Sequence, residues 1–296
     1  MSTLRELKTR IGSVSSSEKI TGAMKMISSA KVHKYEQALK RLLPFKTQIK
    51  SIMGHLLNTD SEYSSPLLEQ RAEVKKIGVI IYGSDDGLCG AYNINIFKHL
   101  IITLADLRNK YGEQVHFVLF PVGKKMARPV AKITADDVEV IVPDGVDSKM
   151  EGKTVNDFTL GMQKRFTDGE LDEIHVVYMN FISMSRQRVK SETLFPVSAA
   201  ALNESADMAG ANKLYIFEPD PNRIFNEVLP MFVLSTMQEI TIENRASEQA
   251  ARIMAMQSAN DNAKKLLDEL RLEFNKLRQQ SITTELLDIL GGQVER

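Results

Sequence analysis

The sequence predicts an α/β protein in which two very long terminal helices enclose a central layer domain. Proline-poor stretches with apolar residues at three- and four-residue steps occupy both ends, a capping signal opens each stretch, and short apolar runs bounded by turn residues lie between them. The expected boundaries are residues 1–57 for the N-terminal helix, 58–219 for the α/β domain and 220–296 for the C-terminal helix.

The first helix is expected from Thr3 to about Leu57. Thr3 followed by Glu6 has the spacing of a capping box, and the apolar positions run Leu4, Leu7, Ile11, Val14, then Tyr35, Ala38, Leu42, Phe45, Ile49, Ile52 and Leu56. Pro44 is expected to bend it, because proline removes a backbone donor inside a helix.

The second begins with Asp220 as N-cap and Pro221 at the first helical position, is interrupted only by Pro230, and is expected to stop at Gly291 and Gly292. Its apolar stripe, Ile253, Met256, Ala263, Leu267, Leu270, Phe274 and Leu277, is narrow and bordered by Lys, Glu, Arg and Asn, as in a coiled-coil seam. Helices this long cannot stand alone in water and must pack on each other.

Between them, Ile77–Tyr82, Val115–Pro121 and Ile174–Asn180 read as buried strands, with helical stretches at Ile94–Asn109 and Val155–Phe166. Arg188–Val197 adds a candidate edge strand, and Val138–Val142 fits strand or loop.

Composition narrows the function classes. The 38 basic and 38 acidic side chains cancel, which argues against a nucleic-acid binder, yet residues 1–50 hold 11 basic and 3 acidic side chains and suit an acidic partner. The single cysteine, Cys89, rules out an internal disulfide and fits a reducing compartment. No apolar run reaches the roughly 18 residues that span a bilayer and no hydrophobic signal core opens the chain, so a cytosol-facing protein is expected.

Catalytic signatures are weak. Gly123-Lys124-Lys125 lacks the spacing and the hydroxyl of a phosphate loop. The turn Gly83-Ser84-Asp85-Asp86-Gly87-Leu88-Cys89-Gly90 stands between a strand and a helix, as a dinucleotide loop would, but its two carboxylates oppose a pyrophosphate and its glycine spacing is wrong. His33, His55, His99, His116 and His175 are isolated and show no metal-ligand spacing. No catalytic residue, metal site or cofactor is therefore expected. Two other classes fit parts of the chain, a small α/β enzyme with helical arms and a generic coiled-coil scaffold.

Three blocks resemble the gamma subunits of rotary (F-type) ATP synthases. They are Lys19-Ile20-Thr21-Gly22-Ala23-Met24-Lys25-Met26-Ile27-Ser28-Ser29-Ala30-Lys31, then Ser84-Asp85-Asp86-Gly87-Leu88-Cys89-Gly90, then Ala246-Ser247-Glu248-Gln249-Ala250-Ala251-Arg252 continuing through Asn260-Asp261-Asn262 to Arg278-Gln279 and Ser281-Ile282-Thr283-Thr284-Glu285. Gly22, Asp86 and Gln293 depart from the family's usual residues.

The resemblance implies a long antiparallel, left-handed two-helix coiled coil formed by the terminal helices, and a central Rossmann-like α/β domain. It implies a rotor stalk, one copy per complex, that couples ion-driven rotation of a membrane c-ring to the catalytic sites of an alpha/beta hexamer, with the epsilon subunit as a further partner. The location it implies is peripheral, on the cytoplasmic face of the plasma membrane. By motif, Met24, Arg252, Gln279, Thr283 and Glu285 would meet the stator, and Ser84, Asp85, Gly87, Leu88, Cys89 and Gly90 would belong to the foot. The exposed apolar tip expected at Leu286, Leu287, Ile289 and Leu290 would find its partner in the bore of the hexamer.

Overall fold

Helix α1 (Leu4–Leu57) opens on the expected box: Glu6 N donates to Thr3 Oγ1 at 3.2 Å while Thr3 N donates to Glu6 Oε2 at 2.8 Å. The computed structural model describes residues 3–57, 63–198, 202, 218 and 220–294, apart from the side chains of residues 288 and 291–294. The chain divides into two compact units, Met1–Ser29 with Arg252–Arg296, and Ala30–Ala251.

The larger unit is built on a five-stranded sheet. In chain order its elements are β1 (Lys76–Tyr82), α2 (Tyr92–Tyr111), β2 (His116–Val122), α3 (Lys124–Val130), β3 (Val138–Val140), α4 (Lys153–Thr167), β4 (Glu173–Ser183) and β5 (Arg186–Phe195). The strand order is β3-β2-β1-β4-β5, parallel except for β5, which pairs antiparallel with β4 at the edge. The ambiguous segment at Val138 is thus a short strand, and α3, with Pro129 inside it, is an element the sequence did not suggest.

Both faces of the central strands are buried, so their sequences read as apolar runs rather than alternations. Along β1, Ile77, Val79 and Ile81 join one apolar cluster while Ile80 and Tyr82 join the other, following the two-residue period of a strand. Helix α2 covers the first cluster with Ile96, Leu100 and Leu104. The second cluster is closed by Phe158 and Met162 of α4, by Met53 and Leu56 of α1, and by Phe225, Leu229 and Val233 of α5 (Pro221–Val294). Full burial of such side chains contributes about 1.5–3 kcal/mol each.

Helix α5 is capped as its sequence requires, with Arg223 N donating to Asp220 Oδ2 at 3.0 Å. It does not stop at the glycine pair. The helix continues through Gly291 and Gly292 to Val294, because glycine weakens a helix by about 1 kcal/mol without forbidding it.

The inward positions of α1 keep one spacing throughout. Leu4, Leu7, Ile11, Val14, Glu18, Thr21, Lys25 and Ser28 in the smaller unit are all buried or partly buried, as are Val32, Tyr35, Leu39, Leu42, Lys46, Ile49, Met53 and Leu56 in the larger. That is a strict three-four repeat, the period of 3.5 residues that keeps one seam facing a partner helix. Phe45, expected on the seam, is 54% exposed. Lys46 takes its place, pairing with Glu239 and lying 5.7 Å from the Phe232 ring centroid.

In the smaller unit α5 repeats the pattern, with Ile253, Met256, Asn260, Ala263, Leu267, Leu270, Phe274 and Leu277 all shielded. Asn260, absent from the expected stripe, donates to Glu18 O at 2.7 Å and to Thr21 Oγ1 at 3.3 Å, and Gln257 accepts from Lys25. Partners on α5 therefore descend in number as α1 ascends. The larger unit repeats this, with Tyr35 beside Arg245 and Lys46 beside Glu239.

Candidate functional site

The turn after β1 is where an open parallel sheet would hold a ligand, at the carboxyl ends of strands flanking a change in strand order. Gly83 accepts the close packing there: a Cβ on it would come within 2.4 Å of Met126 Cβ and 3.1 Å of Asn93 Oδ1. Gly123, at φ +98°, brings the start of α3 close as well, since a Cβ would lie 3.0 Å from Ser84 C and O.

An anion is already present in this turn, and it is Asp85. Its carboxylate accepts from Lys124 N at 2.9 Å, Ser148 N at 3.1 Å and Ser148 Oγ at 2.9 Å. Donors that could have faced a phosphate are thus committed to a side chain of the same turn. Ser84 N donates to Asn93 Oδ1 at 3.0 Å, and Asn93 Nδ2 donates to Ser84 Oγ at 2.8 Å and to Cys89 Sγ at 3.4 Å. Lys149 pairs with Asp86 at 3.0 Å, and that hydrogen bond holds its ammonium above the usual lysine range. Ser84 and Cys89 are buried, Asp85 and Gly87 partly so, and Gly90 is exposed at φ +59°. Leu88, at φ +62° and 61% exposed, projects from the turn.

Helix α5 fills the crevice itself. Asn244 Oδ1 accepts from Tyr92 OH at 2.7 Å and from Met179 N at 3.2 Å, and Asn244 Nδ2 donates to Gly83 O at 3.3 Å. One turn to either side, Thr241 Oγ1 shares a hydrogen bond with Tyr82 OH at 2.9 Å, and Ser247 Oγ donates to Met179 O at 3.0 Å. Burial raises the Tyr82 phenol far above its ordinary range, so its hydroxyl stays protonated. Asn244 was not singled out from the sequence, because its partners lie 65 to 161 residues away.

The stator-contact candidates fall in two kinds of environment. Met24 is partly buried on α1, and Arg252 is buried on α5 at 5% exposure. Gln279, Thr283 and Glu285 are exposed toward the end of α5, where Thr283 Oγ1 only returns to Gln279 O at 2.9 Å. Beside them Ile282, Leu286, Leu287, Ile289 and Leu290 are 49–63% exposed, an apolar surface of the kind that marks an interaction site.

A cavity of about 820 Å³ lies elsewhere in the larger unit, among Lys46, Tyr178, Lys190, Glu192, Glu239 and Glu243. Its charges are largely matched within it, Lys46 to Glu239 and Lys190 to Glu192. Burial raises the Glu243 carboxyl to about 7, against a hydrogen bond from Asn180 at 2.7 Å and with the Glu239 charge adding to the rise. The buried His175 is held by Glu173 at 2.8 Å and Thr193 at 3.3 Å. Among the described residues no three His, Cys, Asp or Glu side chains are grouped to hold a metal, and no helix is long and apolar enough to cross a membrane.

Comparison with known proteins gives a consistent answer. The family model described as ATP synthase matches residues 3–294. The ATP synthase gamma chain of Phocaeicola vulgatus is 36% identical over 99% of this chain and 100% of its own length. That of Bacteroides fragilis is 35% identical, again over 99% and 100%. A chain in the mitochondrial ATP synthase of Euglena gracilis, solved with OSCP, F1 and the c-ring, superposes with a TM-score of 0.62 over 98% of this chain and 93% of its own, at 19% identity. A chain in the central stalk and c-ring of the Tetrahymena thermophila enzyme gives 0.54 over 81% and 99%, at 22% identity.

Proposed function

Because the chain belongs to the family of ATP synthase gamma chains, we propose that it is the central rotor stalk of an ion-translocating ATP synthase and carries no catalytic site of its own. It turns inside an alpha/beta hexamer, and ion flow through a membrane c-ring drives it.

The observation that carries this reading is the seam. A three-four repeat that keeps its phase through all of α1 and recurs on α5 supports an antiparallel, left-handed coiled coil, a rod suited to carrying twist. The parallel strand order supports a Rossmann-like domain for residues 58–219, flanked by coiled-coil helices at 1–57 and 220–296. The backbone donor of Lys124 is taken up by Asp85 and the backbone acceptor of Gly83 by Asn244, which supports a mechanical rather than a nucleotide-binding role.

Met24, Arg252, Gln279, Thr283 and Glu285 are the proposed stator contacts. The turn Ser84, Asp85, Gly87, Leu88, Cys89 and Gly90 is the proposed foot loop. The epsilon subunit and the c-ring are the proposed foot partners, on the cytoplasmic face of the plasma membrane.

Reconstitution tests the reading. A complex purified through a tag on this chain should contain alpha, beta, epsilon and c-ring subunits with one copy of the chain. In vesicles, ATP-driven ion pumping should vanish when the chain is omitted and return when it is added back. Pumping without the chain would contradict the assignment.

A further inference from the structure

We propose that Asn244, assisted by Thr241 and Ser247, is a positioning residue for energy coupling: it locks the rotation of α5 about its own axis against the sheet, so that twist applied to the α/β domain passes into the shaft without slip. The proposal rests on the central-stalk reading and names the joint that this reading requires.

Apolar packing alone is a poor key. It is non-directional, so it fixes the rotation of a helix less sharply than aligned hydrogen bonds do. Hydrogen bonds have preferred directions, weaken steeply when misaligned, and leave buried partners unsatisfied when broken. On α5 the polar groups sit at Thr241, Asn244 and Ser247, three residues apart on one face, and each reaches a different part of the sheet unit. Thr241 meets the end of β1 through Tyr82, Asn244 meets α2 through Tyr92 and the backbone of Gly83, and Asn244 with Ser247 clasps both the N–H and the C=O of Met179 on β4.

These groups are buried, with Asn244 and Ser247 at 0% exposure, so water cannot replace a bond that turns out of line. Ala251, on the same face of the helix, packs against the apolar cluster on this side of the sheet and lets such short side chains reach it. A turn of α5 in either direction would break bonds to three separate elements at once.

The test uses the complete ATP synthase in vesicles and reads ions pumped per ATP hydrolysed beside hydrolysis alone. Asn244→Leu keeps the volume and removes the bonds. Hydrolysis is expected to stay within about twofold, while pumping per ATP falls about fivefold or more, the low end for coupling between distant sites. Ser247→Ala, a smaller change that guards against failure to fold, should move the ratio in the same direction by less.

A purely structural role would not set the joint apart from other core positions. Leu104→Ala, on the buried side of α2 twelve residues beyond Tyr92, should lower the melting temperature yet leave pumping per ATP unchanged. Unchanged ratios in Asn244→Leu and Ser247→Ala, or an equal fall in Leu104→Ala, would overturn the proposal. If instead the parent complex pumps without this chain, the central-stalk reading fails and the joint is not at issue.

Discussion

The two compact units hold themselves together in different ways. The larger has buried side chains on both faces of a sheet, including Tyr82, Phe117, Phe120, Phe166, Phe195 and Phe225, each under 2% exposed. The smaller has a single line of contact between two helices, in which Leu7, Ile253, Met256, Leu267 and Leu270 alternate with polar partners such as Thr21, Lys25 and Asn260. A three-dimensional core distributes a defect over many neighbours, whereas a seam confines it to the two helices that share it. The polar members also lower what the seam contributes while fixing which residues face each other.

Substitutions in each unit break or sharpen this contrast. Phe120→Ala opens the core of the larger unit and is expected to cost about 3–5 kcal/mol, seen as a lower denaturant midpoint and faster hydrogen exchange across all five strands. Leu267→Pro removes a helix hydrogen bond and a seam contact, at about 3 kcal/mol or more. Its exchange should rise only in residues 1–29 and 252–296. The control Lys265→Ala, on an exposed position, should change stability by less than about 0.5 kcal/mol. Opening of the sheet by Leu267→Pro would show that the two units are one cooperative body.

Glu243 gives the larger unit a pH dependence. Burial lifts its carboxyl from 4.5 to about 7, so the folded chain holds more protons than the unfolded one between these values. Stability therefore falls as pH rises through that window and levels off above it. Glu243→Gln should abolish this slope and, at about pH 8, stabilise the chain by about 2 kcal/mol after discounting for partial exposure. Denaturant titrations at a series of pH values would show it. A smaller effect belongs to the cap, where Thr3→Ala should cost about 1 kcal/mol of local helix stability, read as fraying in hydrogen exchange at the start of α1.

What the sequence made legible was local or strictly periodic. The Thr3–Glu6 box and the Asp220 cap involve neighbours three residues apart, and β1, β2 and β4 are apolar because both their faces are covered. The middle of the seam was hidden because Glu18, Thr21, Lys25 and Asn260 look like surface residues until their partners across the seam are known. Helix α3 was hidden because a seven-residue segment with an internal proline has little helical signal.

The candidate site divides along the same line. Its turn at Ser84–Gly90 was recognisable from its resemblance. Ser148, which closes Asp85, and Asn244, which fills the crevice, come from distant parts of the chain and carry no local motif.

Rotation is the most direct test of the central claim. With the hexamer fixed to a surface and a bead attached to the chain through Lys132→Cys, an exposed position well separated in type from the buried Cys89, ATP is added and the bead is followed. The account predicts sustained rotation in one direction that stops when ATP is removed. ATP hydrolysis at the ordinary rate with a stationary or randomly fluctuating bead would contradict it.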